Sequence, residues 1–171
     1  IRADVLGSAV RELVPPDSVE EQWDLPALER RLEADFFLPA PVKTWAEQDD
    51  TLDSEKIAAR VVELANSEYV AKFAPVEKDV AHQYERAVML QSIDSHWREH
   101  LAALDYLRQG IHLRGYAQKQ PKQEYKKEAF ELFSELLEKV KREVVSLLAR
   151  VRIRDEAEVA AAEAEERARA E

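Results

Sequence analysis

An all-α chain, with a small bundle of short helices followed by one long antiparallel helical hairpin, is what three features of the sequence predict. Glycine is scarce, with 3 in 171 residues, and Ala, Leu, Glu, Lys and Arg dominate, a balance that favours helices over sheets. Six of the seven prolines fall before residue 76, so only the first part of the chain is cut into short pieces. From Val80 to Val151, apart from one gap at a turn, apolar residues recur at almost every step of three or four.

Composition also narrows the function classes. The formal net charge of −10 argues against a nucleic-acid partner, which demands basic surface to neutralise phosphates. No cysteine is present, so disulfides and thiolate metal sites are excluded. No apolar run reaches the roughly 18 residues needed to span a bilayer. The first residues, Ile1-Arg2-Ala3-Asp4, carry neither an initiator Met nor a signal-peptide core, and they enter in the middle of a helical pattern. That start is expected of a segment of something longer.

Residues 1–14 read as the end of a helix, with Val5, Val10, Leu13 and Val14 on one stripe. Pro15-Pro16 stops it. Asp17 with Glu20 three residues on predicts a capping box and a short helix to Trp23. Asp24 and Pro26 then start a helix through Phe36, whose apolar face is Leu25, Leu28, Leu32 and Phe36. Residues 37–42 hold two prolines and predict an extended, packed connection. Residues 47–53 are acidic and predict a solvated loop. A helix over Ser54–Phe73 follows, with Ile57, Val61, Leu64 and Tyr69 on or near one side, and Pro75 closes the region. Residues 9–74 thus predict a subdomain of short helices.

Beyond Val76 one helix of about 37 residues, roughly 55 Å long, is predicted by the series Val80, Tyr84, Val88, Ile93, Trp97, Leu101, Leu104, Leu107 and Ile111. Pro121 suits the first position of the next helix. There Tyr125, Ala129, Phe133, Leu136, Val140, Val144, Leu147 and Val151 mark the seam. Two such helices joined by a short turn pack antiparallel in coiled-coil fashion. Phe130, Leu132, Leu137, Val145 and Leu148 widen the second stripe beyond what one partner can cover. Either the first subdomain or a helix outside this sequence must cover the remainder. The last residues, 155–171, are Ala/Glu/Arg repeats with no apolar face and predict a frayed helix or disordered linker.

Motifs for catalysis are nearly absent. His96-Trp97-Arg98-Glu99-His100 fits the H-x-x-E-H pattern, in which histidines at i and i+4 could hold zinc and the glutamate act as base. A zinc hydrolase is therefore a remote alternative. No sheet-lined cleft or third ligand accompanies the motif, and Trp97 lies on the predicted core stripe with the histidines beside it. No phosphate-binding glycine loop or nucleophile elbow exists, so no catalytic residue, cofactor or metal is expected in this chain.

The hairpin tip, about residues 114–121, is the candidate working end. Between residues 108 and 127 the cations are Arg108, Arg114, Lys119, Lys122, Lys126 and Lys127 against the single acid Glu124, a local excess of five in an acidic chain. Favourable interaction with a helix C-terminus accounts for Arg108 and Arg114 but not for lysines at the start of the next helix. A surface for an acidic partner, lipid head groups or another protein is the expectation. Tyr116, flanked by Gly115 and Ala117, has little core to enter and could contact a polypeptide through its ring.

The run Val88-Met89-Leu90-Gln91-Ser92-Ile93-Asp94 with Trp97, then Glu99-His100-Leu101-Ala102-Ala103 and all of 105–125, resembles the C-terminal part of the SecA preprotein translocase motors. Pro15-Pro16, Trp23-Asp24-Leu25-Pro26 and Leu32 extend the likeness upstream, so it covers roughly residues 1–154. The resemblance implies that residues 1–8 end a long scaffold helix, 9–76 form the helical wing domain, and 77–154 belong to the helical scaffold domain with its two-helix finger.

By the same resemblance, the motor domains that use ATP and Mg would lie upstream. A zinc-binding tail would lie downstream of a linker beginning at 155–171. The finger tip would face the SecYEG channel, with Tyr116, Gly115 and Ala117 against unfolded preprotein. Arg108, Arg114, Lys119, Lys122 and Lys126 would meet the channel or another partner, acidic lipid included. The hairpin would also restrain ATP hydrolysis through the nucleotide-binding domains, and the long scaffold helix would cover the wide stripe. The location implied is cytoplasmic, peripheral to the inner face of the bacterial plasma membrane. The competing expectation is a helical-hairpin adaptor or self-association module.

Overall fold

Proline and cap chemistry set the helix ends in a computed structural model that describes residues 1–114 and 120–153. Six α-helices form, with no strand among the described residues: α1 (Arg2–Leu13), α2 (Leu25–Phe36), α3 (Val42–Gln48), α4 (Ser54–Phe73), α5 (Lys78–Arg114) and α6 (Pro121–Arg150). Asp24 caps α2 by accepting from the Ala27 amide at 2.9 Å, and Asp53 caps α4 by accepting from the Lys56 amide at 2.8 Å. Each such cap stabilises its helix by about 1 kcal/mol.

Two local expectations fail. Residues 20–22 form only a single 3-10 turn, entered from Val19 with no side-chain cap, so Asp17 and Glu20 do not make a capping box. Instead Ser18 donates to the Pro15 carbonyl and accepts from the Trp23 indole N–H, which satisfies the turn without a helix. The connection after α2 is not extended: Phe37 is left-handed, and the amides of Ala40 and Val42 close tight turns on the carbonyls of Leu38 and Ala40, both at 2.9 Å. Val42–Gln48 then form α3, which buries Val42 and Ala46, so the acidic loop is confined to 49–53. Asp49 organises that loop, accepting from the Thr51 amide and hydroxyl and pairing with Arg60 at 2.8 Å.

The first core joins α1, α2 and α4. Leu6, Val10, Val14, Leu28, Leu32, Val42, Ile57 and Val61 are essentially inaccessible to solvent. The α1 stripe runs unbroken from Val5 to Val14, and all of it faces this core. At the end of α1, the carbonyl of Val14 has no helical partner, and the buried Ser54 hydroxyl donates to it at 2.5 Å. Arg11 on α1 clamps Glu55 on α4 through two bonds of 2.8 and 2.9 Å. Val145 of α6 belongs to the same core. The bundle therefore sits on the C-terminal end of α6 and covers that part of its wide stripe.

The second core is the hairpin seam, around Val88, Leu136, Val140 and Val144. Ser92 donates to Glu143, whereas His100, further along α5, meets Phe133, earlier along α6. Rising number on one helix opposes falling number on the other, which establishes the antiparallel arrangement. The expected seam of α5 is wrong in its middle. Val80, Tyr84, Ile93, Trp97 and Leu101 are exposed, Trp97 by 43%. Val88, Leu107 and Ile111 are buried as expected, and Ser92 and His100 are buried in place of the exposed members between them. Phe133 of α6, also expected in the seam, is 41% exposed.

Candidate functional site

The seam positions the tip by carrying α5 and α6 side by side to Leu107 and Ile111, both buried. Its registry comes from side chains four or three apart, at 88, 92, 96, 100, 103, 107 and 111, a helical period in which the middle members are polar. His96 Nε2 lies 3.0 Å from Glu143 Oε2, and its Nδ1 lies 3.5 Å from Glu99 Oε2. Neither ring nitrogen is aligned for a hydrogen bond. His100 is 7% exposed, with Trp97 at 5.4 Å on one side and Phe133 at 6.0 Å on the other, measured between ring centroids.

These positions reverse the expectation for the H-x-x-E-H segment. The histidines are the seam residues, and Trp97 lies beside them on the open face. His96 turns toward Glu143 while His100 turns toward Phe133. Among the described residues no group of three or more metal-ligating side chains is arranged to hold a metal ion. The segment's job in this fold is interhelical packing.

Toward the tip, α5 continues to Arg114 and α6 starts at Pro121. Gly115, Tyr116, Ala117 and Lys119 lie outside the described residues, as does the side chain of Arg114. The cations that are described divide into two kinds. Arg108 is committed to its own helix, donating to Asp105 through Nε at 3.2 Å and Nη2 at 2.8 Å, while Gln109 holds the other Asp105 oxygen at 2.7 Å. Hydrogen bonding to Arg108, with its charge, holds the Asp105 carboxyl below the usual carboxylate range. Lys127 approaches Glu131 at 3.9 Å. Lys122 and Lys126, by contrast, are exposed, share one face of the first two turns of α6, and make no ion pair among the described residues. Both sit where the helix dipole disfavours positive charge.

Beside the tip, Tyr106 is 81% exposed at the edge of an open groove between the helices, with Gly110 in its floor. Sequence reasoning did not single out Tyr106, because a tyrosine off the apolar stripe carries no periodic signal. It marked Phe130 and Leu137 on α6 as part of a stripe that one partner cannot cover, but it missed that Leu90, Ile93, Trp97 and Leu101 on α5 and Phe133 on α6 are open as well. Apolar periodicity had marked Ile93, Trp97, Leu101 and Phe133 as seam. No helix among the described residues is long and apolar enough to cross a membrane.

The arrangement has close counterparts. Over its full length the chain is 56% identical to a protein translocase subunit SecA of Xanthomonas campestris pv. campestris strain B100, of which it covers 19%. Over 161 residues it is 54% identical to a protein translocase subunit SecA 1 of Nitrosospira multiformis, of which it covers 18%. The chain thus spans about a fifth of the length of these relatives. The family model for the SecA wing and scaffold domain matches residues 1–152, from the first turn of α1 to just past the end of α6. By its sequence and its helical architecture together, the chain belongs to the SecA wing and scaffold family.

Proposed function

We propose that this chain is a non-catalytic mechanical part of an ATP-driven preprotein translocase. In this reading α5 and α6 form a finger whose tip touches the unfolded preprotein and the mouth of the SecYEG channel. The observation that carries it is the contrast along the hairpin. Its base is gripped by the α1–α4 bundle, while α5, about 55 Å long in all, runs on beyond it, and near the far end Lys122 and Lys126 make no ion pair among the described residues. The division into a scaffold-helix end (1–8), a wing (9–76), a finger-bearing scaffold (77–154) and a linker (155–171) belongs to the same reading.

Tyr116, between Gly115 and Ala117, is the residue proposed to meet the preprotein. Arg114, Lys119, Lys122 and Lys126 are proposed to face the channel or acidic lipid. Arg108 would join them only by releasing Asp105. ATP and Mg would bind in other domains of the longer protein, and the hairpin would restrain their hydrolysis until channel and preprotein engage. The protein would work in the cytoplasm, against the inner face of the bacterial plasma membrane.

The test is Tyr116→Ala in the full-length motor, with preprotein translocation and ATP hydrolysis measured side by side. Translocation is expected to drop severalfold while the protein stays folded. Unchanged translocation would remove the contact role.

The open face around Trp97 and Phe130 favours a second reading, a hairpin that self-associates or serves as an adaptor. Sedimentation across a concentration series decides it, and a monomer at all concentrations ends self-association.

A further inference from the structure

Where the bundle meets the hairpin there is a cavity of about 230 Å³, enclosed by parts of both bodies. Leu6, Phe36 and Leu38 come from the bundle side, and Met89, Val145 and Leu148 from the hairpin. Ile1, Phe37 and Glu68 border it and are themselves exposed, so the space communicates with solvent.

Apart from the exposed carboxylate of Glu68, the polar side chains at its edge are already committed. Tyr69 donates its hydroxyl to Glu85. Lys72 donates to the carbonyl of Ala149, near the end of α6. Arg2 donates to Asn66 at 2.8 Å and lays its guanidinium over the Tyr69 ring at 4.1 Å from the centroid. Among these lining residues two cations face two carboxylates, Glu68 and Glu85, so the rim favours neither sign of charge.

A water molecule held there would want two to four polar partners, and these are engaged elsewhere. An anionic guest would lose hydration without a free cation, since Arg2 and Lys72 are both engaged. An apolar guest would restore dispersion contacts that the lining atoms lack across an empty space. For scale, an apolar cavity of about 150 Å³ accommodates benzene.

We infer that this cavity is a binding site for a neutral, apolar molecule of one or two rings, held jointly by the bundle and the hairpin. Occupancy ties Met89, Val145 and Leu148 to Leu6, Phe36 and Leu38, and so stiffens the joint on which the finger rests. This site is separate from the finger tip and stands whether or not the tip contacts preprotein.

Met89 is the chain's one methionine, so a ¹³C-methyl methionine label gives a single reporter on the cavity wall. Titrating the full chain with indole is expected to shift that resonance saturably. Ala65→Leu, which fills the space from α4, is expected to weaken the response at least tenfold. Leu148→Phe, which fills it from α6, serves the same purpose should Ala65→Leu fail to fold. Absence of a saturable shift in the wild type would overturn the site. So would an unchanged affinity in a filled variant that still unfolds cooperatively. Benzoate binding more tightly than indole would overturn the assignment to a neutral guest.

Discussion

His96 of α5 and Glu143 of α6 face each other at 3.0 Å across the hairpin seam, without the alignment a hydrogen bond requires. Glu143 also accepts the Ser92 hydroxyl, so one partly exposed carboxylate serves two seam positions. The middle of the seam is therefore polar, although its two ends are apolar. A His ring with both nitrogens shielded and unbonded is a cost to the folded state. His96→Leu is expected to stabilise the chain by about 1 kcal/mol, since Glu143 keeps Ser92 and reaches solvent. Urea unfolding measures it, and a destabilisation of similar size would show that the charge proximity outweighs the desolvation.

The exposed and buried faces of the hairpin should respond differently to substitution. Leu136→Ala removes a buried seam side chain and is expected to cost about 2–5 kcal/mol. Leu101→Gln lies on the open face and is expected to change stability by less than about 1 kcal/mol. Thermal and chemical unfolding of the two variants would test the assignment. Equal losses would mean that Leu101 is covered in the folded chain.

Acid should weaken the bundle through Glu12. Its carboxyl accepts from Arg31 on α2 at 2.5 Å, and that bond, with the guanidinium charge, holds it below its ordinary value of 4.5. The folded state thus takes up this proton less readily than the unfolded chain. The stabilisation is complete above pH 4.5 and is lost as pH falls through the lower folded value. Melting temperatures between pH 7 and pH 3 are expected to fall less in Glu12→Gln than in wild type. A parallel fall in both would remove Glu12 from the acid response.

Phe37 occupies the left-handed region, with φ 51° and ψ 34°, as it ends α2. Its amide bonds to Glu33 at 3.0 Å and the next amide, of Leu38, to Leu32 at 3.1 Å, the pattern that usually recruits glycine or asparagine. Arg150 from the end of α6 sits 5.1 Å from its ring centroid, which ties this strained turn to the hairpin. Phe37→Val should cost about 1–2 kcal/mol, because a β-branched residue suits this conformation poorly. Phe37→Asn should be close to neutral. Unfolding curves separate them, and the reverse order would show that ring contacts dominate the backbone term.

Much of this fold was legible because its helix ends are written in local chemistry. Asp24, Asp53 and Pro121 each announce a start that depends on neighbours within three residues. α3 was not legible, since seven residues behind two prolines carry no cap and too short a period. The α5 seam was misread for a different reason. Periodicity reports which side of a helix is apolar, not which side this chain covers. Ile93, Trp97 and Leu101 are apolar and open, whereas Ser92 and His100 are polar and shut. Seam polarity becomes visible only when Glu143 is placed opposite. At the tip, composition found the lysines but could not foresee that Asp105 holds Arg108.

The bundle grips only the last turns of α6 and the first turns of α5, through Val145, Lys72 to Ala149 and Tyr69 to Glu85. Mechanically the hairpin is then a cantilever clamped at one end. A tilt of about 5° at the clamp moves a point about 40 Å away by about 3.5 Å, a little more than the rise of two helical residues. Small strains at the joint would be read out as residue-scale steps at the tip, and the polar stretch around His96 is where such a beam would bend first.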